Sequence, residues 1–295
     1  MSRRIWVSSV VVLCLAVVCV PNEFFAKDQD FTPEEVIAEH MKSLGNVKAL
    51  ANVKSRTFVG TSSAHFYQGM FGTLAGQSMF VAQGPKMGIV MKFADKDYPG
   101  EYFAFDGNEV TVGHISPGQK SPVAEFLFRY NGLFKEGLVG GVLSPEWPLF
   151  KLEEKQPHMK YGDAKVEDRK LHMIEYRPKK GLGDVKIKLY FDWDTFRHVR
   201  TEYHVRHRLD ATVPSEGAYL TDGYILDSNQ PESIYKLIER FDEFTKVGGI
   251  VLPGLYQIHY SVEGTGHAFV GEWKLKAQTW GFNQAFDDNI FKAQK

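Results

Sequence analysis

The sequence is short of cysteine, of net charge and of long apolar runs. Its two cysteines, Cys14 and Cys19, both lie near the N-terminus. Without that segment the chain holds no thiol, which excludes disulfides, thiol nucleophiles and thiolate metal sites from the remainder. Lysine and arginine number 35 against 36 acidic residues, for a net charge of -1. No basic excess offers a footprint for nucleic acid. The longest uncharged run in the leader, Ile5 to Val20, is shorter than the about 20 residues that a membrane-spanning helix needs. Chemical motifs are missing too. There is no G-x-S-x-G elbow, no phosphate-binding loop, no dinucleotide fingerprint and no His-Glu-x-x-His. These absences leave no catalytic residue, metal site or cofactor to assign, and the chain is read as non-enzymatic without an enzyme being excluded. A triad drawn from distant positions would leave no local signature.

What is present begins with an address. Arg3 and Arg4 precede Ile5 to Val20 and Pro21, a positive region followed by an apolar one, as in an export signal. Residues 1–26 are expected to be a signal peptide, with Ala26 closing the cleavage site, and 27–295 a single periplasmic domain. An uncleaved N-terminal anchor is the alternative. Val18 argues against lipidation at Cys19. With 43% hydrophobic and 24% charged residues, the composition is globular, and the length suffices for a core held by burial alone.

The stretch from Asp184 to Arg208 organises the rest. Val185, Ile187, Leu189, Phe191 and Trp193 share one parity, and Lys186, Lys188, Tyr190 and Asp192 the other. Alternation of this kind makes a strand with one dry and one wet face. Asp192-Trp193-Asp194-Thr195 reads as a turn. On the return strand Val199, Thr201, Tyr203 and Val205 oppose His198, Arg200, Glu202, His204 and Arg206. A sheet with one apolar face needs a core, a lid or a ligand to cover it.

Elsewhere, Thr32, Pro33 and Glu35 open a helix by a capping box, and Gly45 ends it. A short helical turn over 46–50 and a first strand from Val53 to Gly60 follow. Further strands are expected at 78–82, 86–94, 102–105, 109–112, 165–177, 233–247, 250–262 and 266–280, with hairpin turns at Asp106-Gly107 and Gly248-Gly249. The dry faces of three strands carry Met87, Ile89, Met91 and Phe93, then Val185, Ile187, Leu189 and Phe191, then Tyr256 and Ile258. These ten are the candidate lining of an apolar site, the alternative being a closed core. Ser121 and Pro122 start a helix whose stripe of Val123, Phe126, Leu127 and Tyr130 is either a lid over that lining or a plain packing helix. Asp210 to Pro231 reads as a long polar loop.

His198, Glu202 and His204 fall on one parity. Along an extended strand the outer two stand about 20 Å apart, too far for one metal ion. A solvated, charge-mixed face is the plainer reading.

The N-terminal helix with Leu44-Gly45 and Val53-Lys54-Ser55-Arg56-Thr57 resembles the start of the outer-membrane lipoprotein-sorting-like periplasmic proteins. So do Phe191 to Val199, Phe241-Asp242-Glu243-Phe244, Val247 to Pro253 and the closing Phe282 to Asp288. The resemblance implies a mainly β (α+β) fold, an incomplete antiparallel β-barrel wrapped around a few helices. It also implies an apolar ligand, such as a lipid or a lipoprotein acyl chain, as partner. The expectation is a monomeric envelope binding or carrier protein without a nucleic-acid partner. The alternatives are a non-catalytic assembly protein with an envelope protein partner, or a hydrolase with an unrecognised site.

Overall fold

The structure, a computed structural model, describes residues 31–45, 47–68, 72–207, 233–264 and 268–293. The expected signal peptide, residues 1–26, and the stretch 210–231 expected to form a loop lie outside them. The described residues build one antiparallel sheet of twelve strands. In chain order these are β1 (Ser55–Gln68), β2 (Gly72–Gln83), β3 (Lys86–Phe93), β4 (Gly100–Phe105), β5 (Val110–Val112), β6 (His158–Val166), β7 (Arg169–Arg177), β8 (Lys186–Asp192), β9 (His198–His207), β10 (Ser233–Val247), β11 (Ile250–Glu263) and β12 (Phe269–Phe282). The spatial order is β5-β4-β3-β2-β1-β12-β11-β10-β9-β8-β7-β6. Two meanders are thus joined by one ladder between the first and last strands. β5 and β6 are the two edges, so the sheet is not closed into a true barrel.

The chain between those edges, residues 113–157, fills the trough. It carries α3 (Pro122–Arg129) and α4 (Gly132–Glu136), two 3-10 turns at Gly141–Leu143 and Pro148–Lys151, and α5 (Leu152–Lys155). Ahead of the sheet stand α1 (Pro33–Ser43) and α2 (Val47–Asn52). Both expected caps form. Thr32 and Glu35 close a reciprocal box on α1, and the Ser121 hydroxyl accepts the Ala124 amide at 3.1 Å on α3. Each satisfies amides that a helix start leaves free.

Local chemistry explains most strand boundaries. Gly248 and Gly249, at φ of 57° and 84°, supply the left-handed backbone of a two-residue hairpin turn, which a residue with Cβ adopts at a cost. Asp192 accepts the Thr195 amide at 3.0 Å and its hydroxyl at 2.8 Å, fixing the β8–β9 turn. The expected single strand over 165–177 is instead the hairpin β6–β7. Glu167 and Asp168 take positive φ at its turn, in a dipeptide without the glycine that usually announces such a turn. Residues 64–68, which carry no clear pattern, continue β1, and residues 72–76 begin β2.

The return strand β9 breaks the expected alternation. Tyr190 pairs with Arg200, but Phe191 pairs with His198, which leaves Val199 as an extra residue. Such a bulge reverses parity beyond it. His198 therefore turns inward beside Phe191 and is fully buried. The other parity of the β8–β9 pair is less wet than its charges suggest, because Tyr190, Arg200 and Glu202 are also buried there.

Burial on β8 yields a paired test. Leu189 is fully buried, so Leu189→Asp places an unpartnered carboxylate in the core and should abolish cooperative folding. Lys188 is half-exposed and lies across from both Glu175 and Glu202. Lys188→Asp sets three carboxylates side by side and should cost about 1 kcal/mol, less in high salt. Thermal melts at two salt concentrations measure both; equal losses would refute the assignment of faces.

Candidate functional site

Nine of the ten candidate lining residues are buried, and Val185 is half-exposed just before β8. They share the concave face, as parity requires, but helices cover them. Val123, Phe126 and Leu127 of α3 are buried. The Phe126 ring packs 5.3 Å from Tyr260 and 4.8 Å from Tyr130. Tyr130 and Val185 border a small pocket of about 200 Å³ with Leu133 and Leu182. Met91 borders another, of about 500 Å³, beside Tyr102 and His114.

The segment after α4 reaches deepest into the trough. At Gly141, φ is 49°, and a Cβ would come within 2.9 Å of both His198 and Phe241. The neighbouring Gly140 amide donates to Glu239 at 2.7 Å. Glu239, on β10, is buried and also accepts the hydroxyls of Tyr203 at 2.7 Å and Tyr256 at 2.5 Å. Burial pushes its pKa up, against the pull of those three donors. On the other side Arg56 donates through Nη1 to the Val142 carbonyl. The segment is thus held to the sheet by polar contacts from two strands.

Around it sits a cluster of buried rings. His40 of α1 donates from Nδ1 to the Phe196 carbonyl at 2.8 Å, and His198 shares a 2.9 Å hydrogen bond with Thr201. Trp147 lies 4.7 Å from His198 and 5.2 Å from His40, between rings. Burial lowers the pKa of His40 to about 4 and that of His198 well below its ordinary value. Both imidazoles are neutral at pH 7. A second buried carboxyl, Glu101, accepts the Tyr98 hydroxyl, which in turn accepts Trp273 Nε1 at 2.7 Å. Burial raises Glu101 to about 7.

The triplet of His198, Glu202 and His204 does not assemble. Glu202 bonds His204 at 2.9 Å and Arg200 at 2.6 Å on the outer face, while His198 points the other way. Burial would raise the Glu202 pKa, but His204, Arg200 and Lys236 outweigh it and hold it near 2. The outer face is charge-mixed, as expected, yet its centre is buried. Among the described residues no three His, Cys, Asp or Glu side chains cluster to hold a metal ion.

A larger pocket lies away from the predicted lining. It holds about 760 Å³ where α1, α2, the start of β1, the β2–β3 turn and residues 145–151 meet. Met41, Leu50, Val53, Pro145, Leu149 and Phe150 give it apolar walls; Lys54, Arg56, Lys86, Lys151 and Glu146 stand among them. Sequence reasoning missed this site because its walls come from four separate segments. One signal was there. Arg56 shares the inward parity of β1 with Phe58, Ala64 and Phe66, and a charge on a dry parity marks a position that does more than pack.

No family model matches this sequence, and no curated protein matches it. Among solved structures, the chain is similar to a LolA superfamily protein from Nitrosomonas europaea, at 11% identity and a TM-score of 0.42, over 89% of this chain and 98% of that one. It is also similar to a DUF1329 family protein from Desulfovibrio piger, at 12% identity and a TM-score of 0.44, over 88% and 96% of the two chains. The first is of the general family that the sequence motifs resemble.

Two outcomes follow from the buried groups. Phe126→Ala with Leu127→Ala removes two packed side chains and should cost roughly 4–10 kcal/mol, enough to unfold the chain in a thermal melt. A preserved melt with stronger uptake of a fluorescent fatty acid would make α3 a lid instead. The second outcome is pH dependence. An unfolded histidine binds its proton near 6.5, whereas folded His40 refuses it down to about 4. Its contribution to stability is whole above pH 6.5 and declines as pH falls towards 4. Glu101 has the opposite sign: its contribution is whole below about 4.5 and is lost as pH rises towards 7. Relative to wild type, Glu101→Gln should therefore gain stability across that rise, by roughly 3 kcal/mol. Urea unfolding of both proteins at pH 4.5 and 7 checks the sign.

Proposed function

We propose that this chain is a binding or carrier protein of the cell envelope that takes an apolar chain, such as a lipid acyl chain, into the pocket beneath α1 and α2. One observation carries the reading: an apolar-walled pocket of about 760 Å³. That volume lies within the roughly 300–1,000 Å³ of small-molecule sites. Each methylene buried there would contribute about 0.8 kcal/mol. In this reading the ten expected lining residues and α3 pack the interior and do not border the pocket. Envelope location rests on the charged and apolar N-terminal segment of the sequence, Arg3 to Val20. The fold likeness to a LolA superfamily protein accords with the reading without naming a ligand.

Nile red, a neutral dye that brightens in apolar surroundings, should bind the purified chain at one site. Leu50 is half-buried in the pocket wall. Leu50→Asp should weaken the dye on the order of tenfold, the equivalent of one lost apolar side chain, with little change in melting. Organic extracts of protein purified from the envelope should contain lipid. A wild type that neither carries lipid nor binds the dye would reject the function.

A further inference from the structure

The walls of the main pocket are not electrically neutral. Four cationic side chains, Lys54, Arg56, Lys86 and Lys151, face it with one carboxylate, Glu146. Glu146 is committed to Lys151, at 2.5 Å. Lys86 pairs with Asp288 at 2.5 Å. Lys54 and Arg56 pair with no carboxylate among the described residues. Lys54 is exposed, and its freedom costs little. Arg56 is different, because it is only 2% exposed.

A buried guanidinium without a counter-charge is costly, since it has given up water without gaining an anion. The other buried arginine among the described residues is held in the ordinary way: Arg200 has Glu202 at 2.6 Å. Arg56 has instead a neutral acceptor, the Val142 carbonyl, at Nη1, and no hydrogen-bond partner at Nε. The Phe150 ring lies 5.6 Å from its guanidinium carbon. Burial alone draws its pKa down to about 10, so it keeps its charge at pH 7. An unpaired, permanently charged group thus forms part of the wall of an otherwise apolar pocket.

We propose that the pocket takes an amphiphile with an anionic head, a carboxylate or a phosphate monoester, whose charge Arg56 receives while its chain lies along Leu50, Leu149 and Phe150. The proposal rests on the function proposed above and adds the class of head group. Guanidinium is suited to either oxyanion, because its planar N–H groups match two oxygens at once. Lys54 at the rim adds attraction that salt screens, whereas the interaction with buried Arg56 is screened far less.

The test uses the mature chain loaded with Nile red and three competitors of equal chain length: palmitate, hexadecyl phosphate and hexadecanol. At least one anion should displace the dye at a concentration about tenfold or more below that of hexadecanol. Whether palmitate or hexadecyl phosphate is the stronger identifies the head. Arg56→Met should erase that preference, so that neither anion displaces the dye better than hexadecanol does. Lys54→Gln, at an exposed position, should reduce it several-fold at low salt only. Should Arg56→Met fail to fold, the wild-type ranking and Lys54→Gln still decide. Equal displacement by hexadecanol and both anions in the wild type would overturn the anionic head and leave an apolar-ligand protein. Failure to bind Nile red would overturn the pocket reading, and the head-group assignment with it.

Discussion

A sheet that curls without closing has a concave face it cannot cover with its own strands. Here that burial requirement shapes everything else. The inward parities of twelve strands present aromatic and aliphatic side chains to one trough, and water must be kept from them. The chain meets the requirement with the segment that connects its two edge strands. Because that segment starts at one edge and ends at the other, it must cross the trough. Crossing brings backbone polar groups into an apolar interior, where they need partners. Glu239 and Arg56 supply them, one accepting from Gly140 and the other donating to Val142. Those two ionisable residues are the polar cost of an apolar cover.

The same constraint separates the two parts of the interior. Where the cover is continuous, under α3 and around Trp147, the space is filled with rings. Where it ends, between residues 145–151 and α2, a pocket remains. The position of Arg56 at this boundary gives it two neighbours of different kinds, a fixed carbonyl on one side and the pocket on the other. Its burial makes sense of both: a group anchored by the cover is also held rigidly in the pocket wall.

The fold class was legible because period-2 alternation is strong wherever one face is dry. Ile187, Leu189 and Phe191 announce β8, and Thr32 with Glu35 announces α1. The hairpins at Asp106-Gly107 and Gly248-Gly249 carry their turn chemistry openly. The β6–β7 hairpin does not, since Glu167 and Asp168 adopt positive φ without a glycine to signal it. Nor could His198 be placed, because one extra residue, Val199, inverts its face, and a bulge is set by pairing between strands. The pocket was least legible. Its walls are near one another only after β1 has met β12 and the cover has crossed the trough. Only Arg56, a cation on the dry parity of its strand, marked the place.

The ladder between β1 and β12 has a further meaning for the order of assembly. Within each meander neighbouring strands are also neighbours in sequence, so their pairing closes short loops. The central ladder joins Arg56 to Phe282, nearly opposite ends of the described chain, and closing so long a loop is entropically slower. During synthesis β1 emerges first of the strands and β12 last. Until β12 arrives, β1 is an open edge of fourteen residues, far longer than β5, the three-residue strand that forms one edge of the finished sheet. An open edge of that length is a template for other chains. The nascent protein is therefore most vulnerable to aggregation along the line that becomes the centre of its sheet.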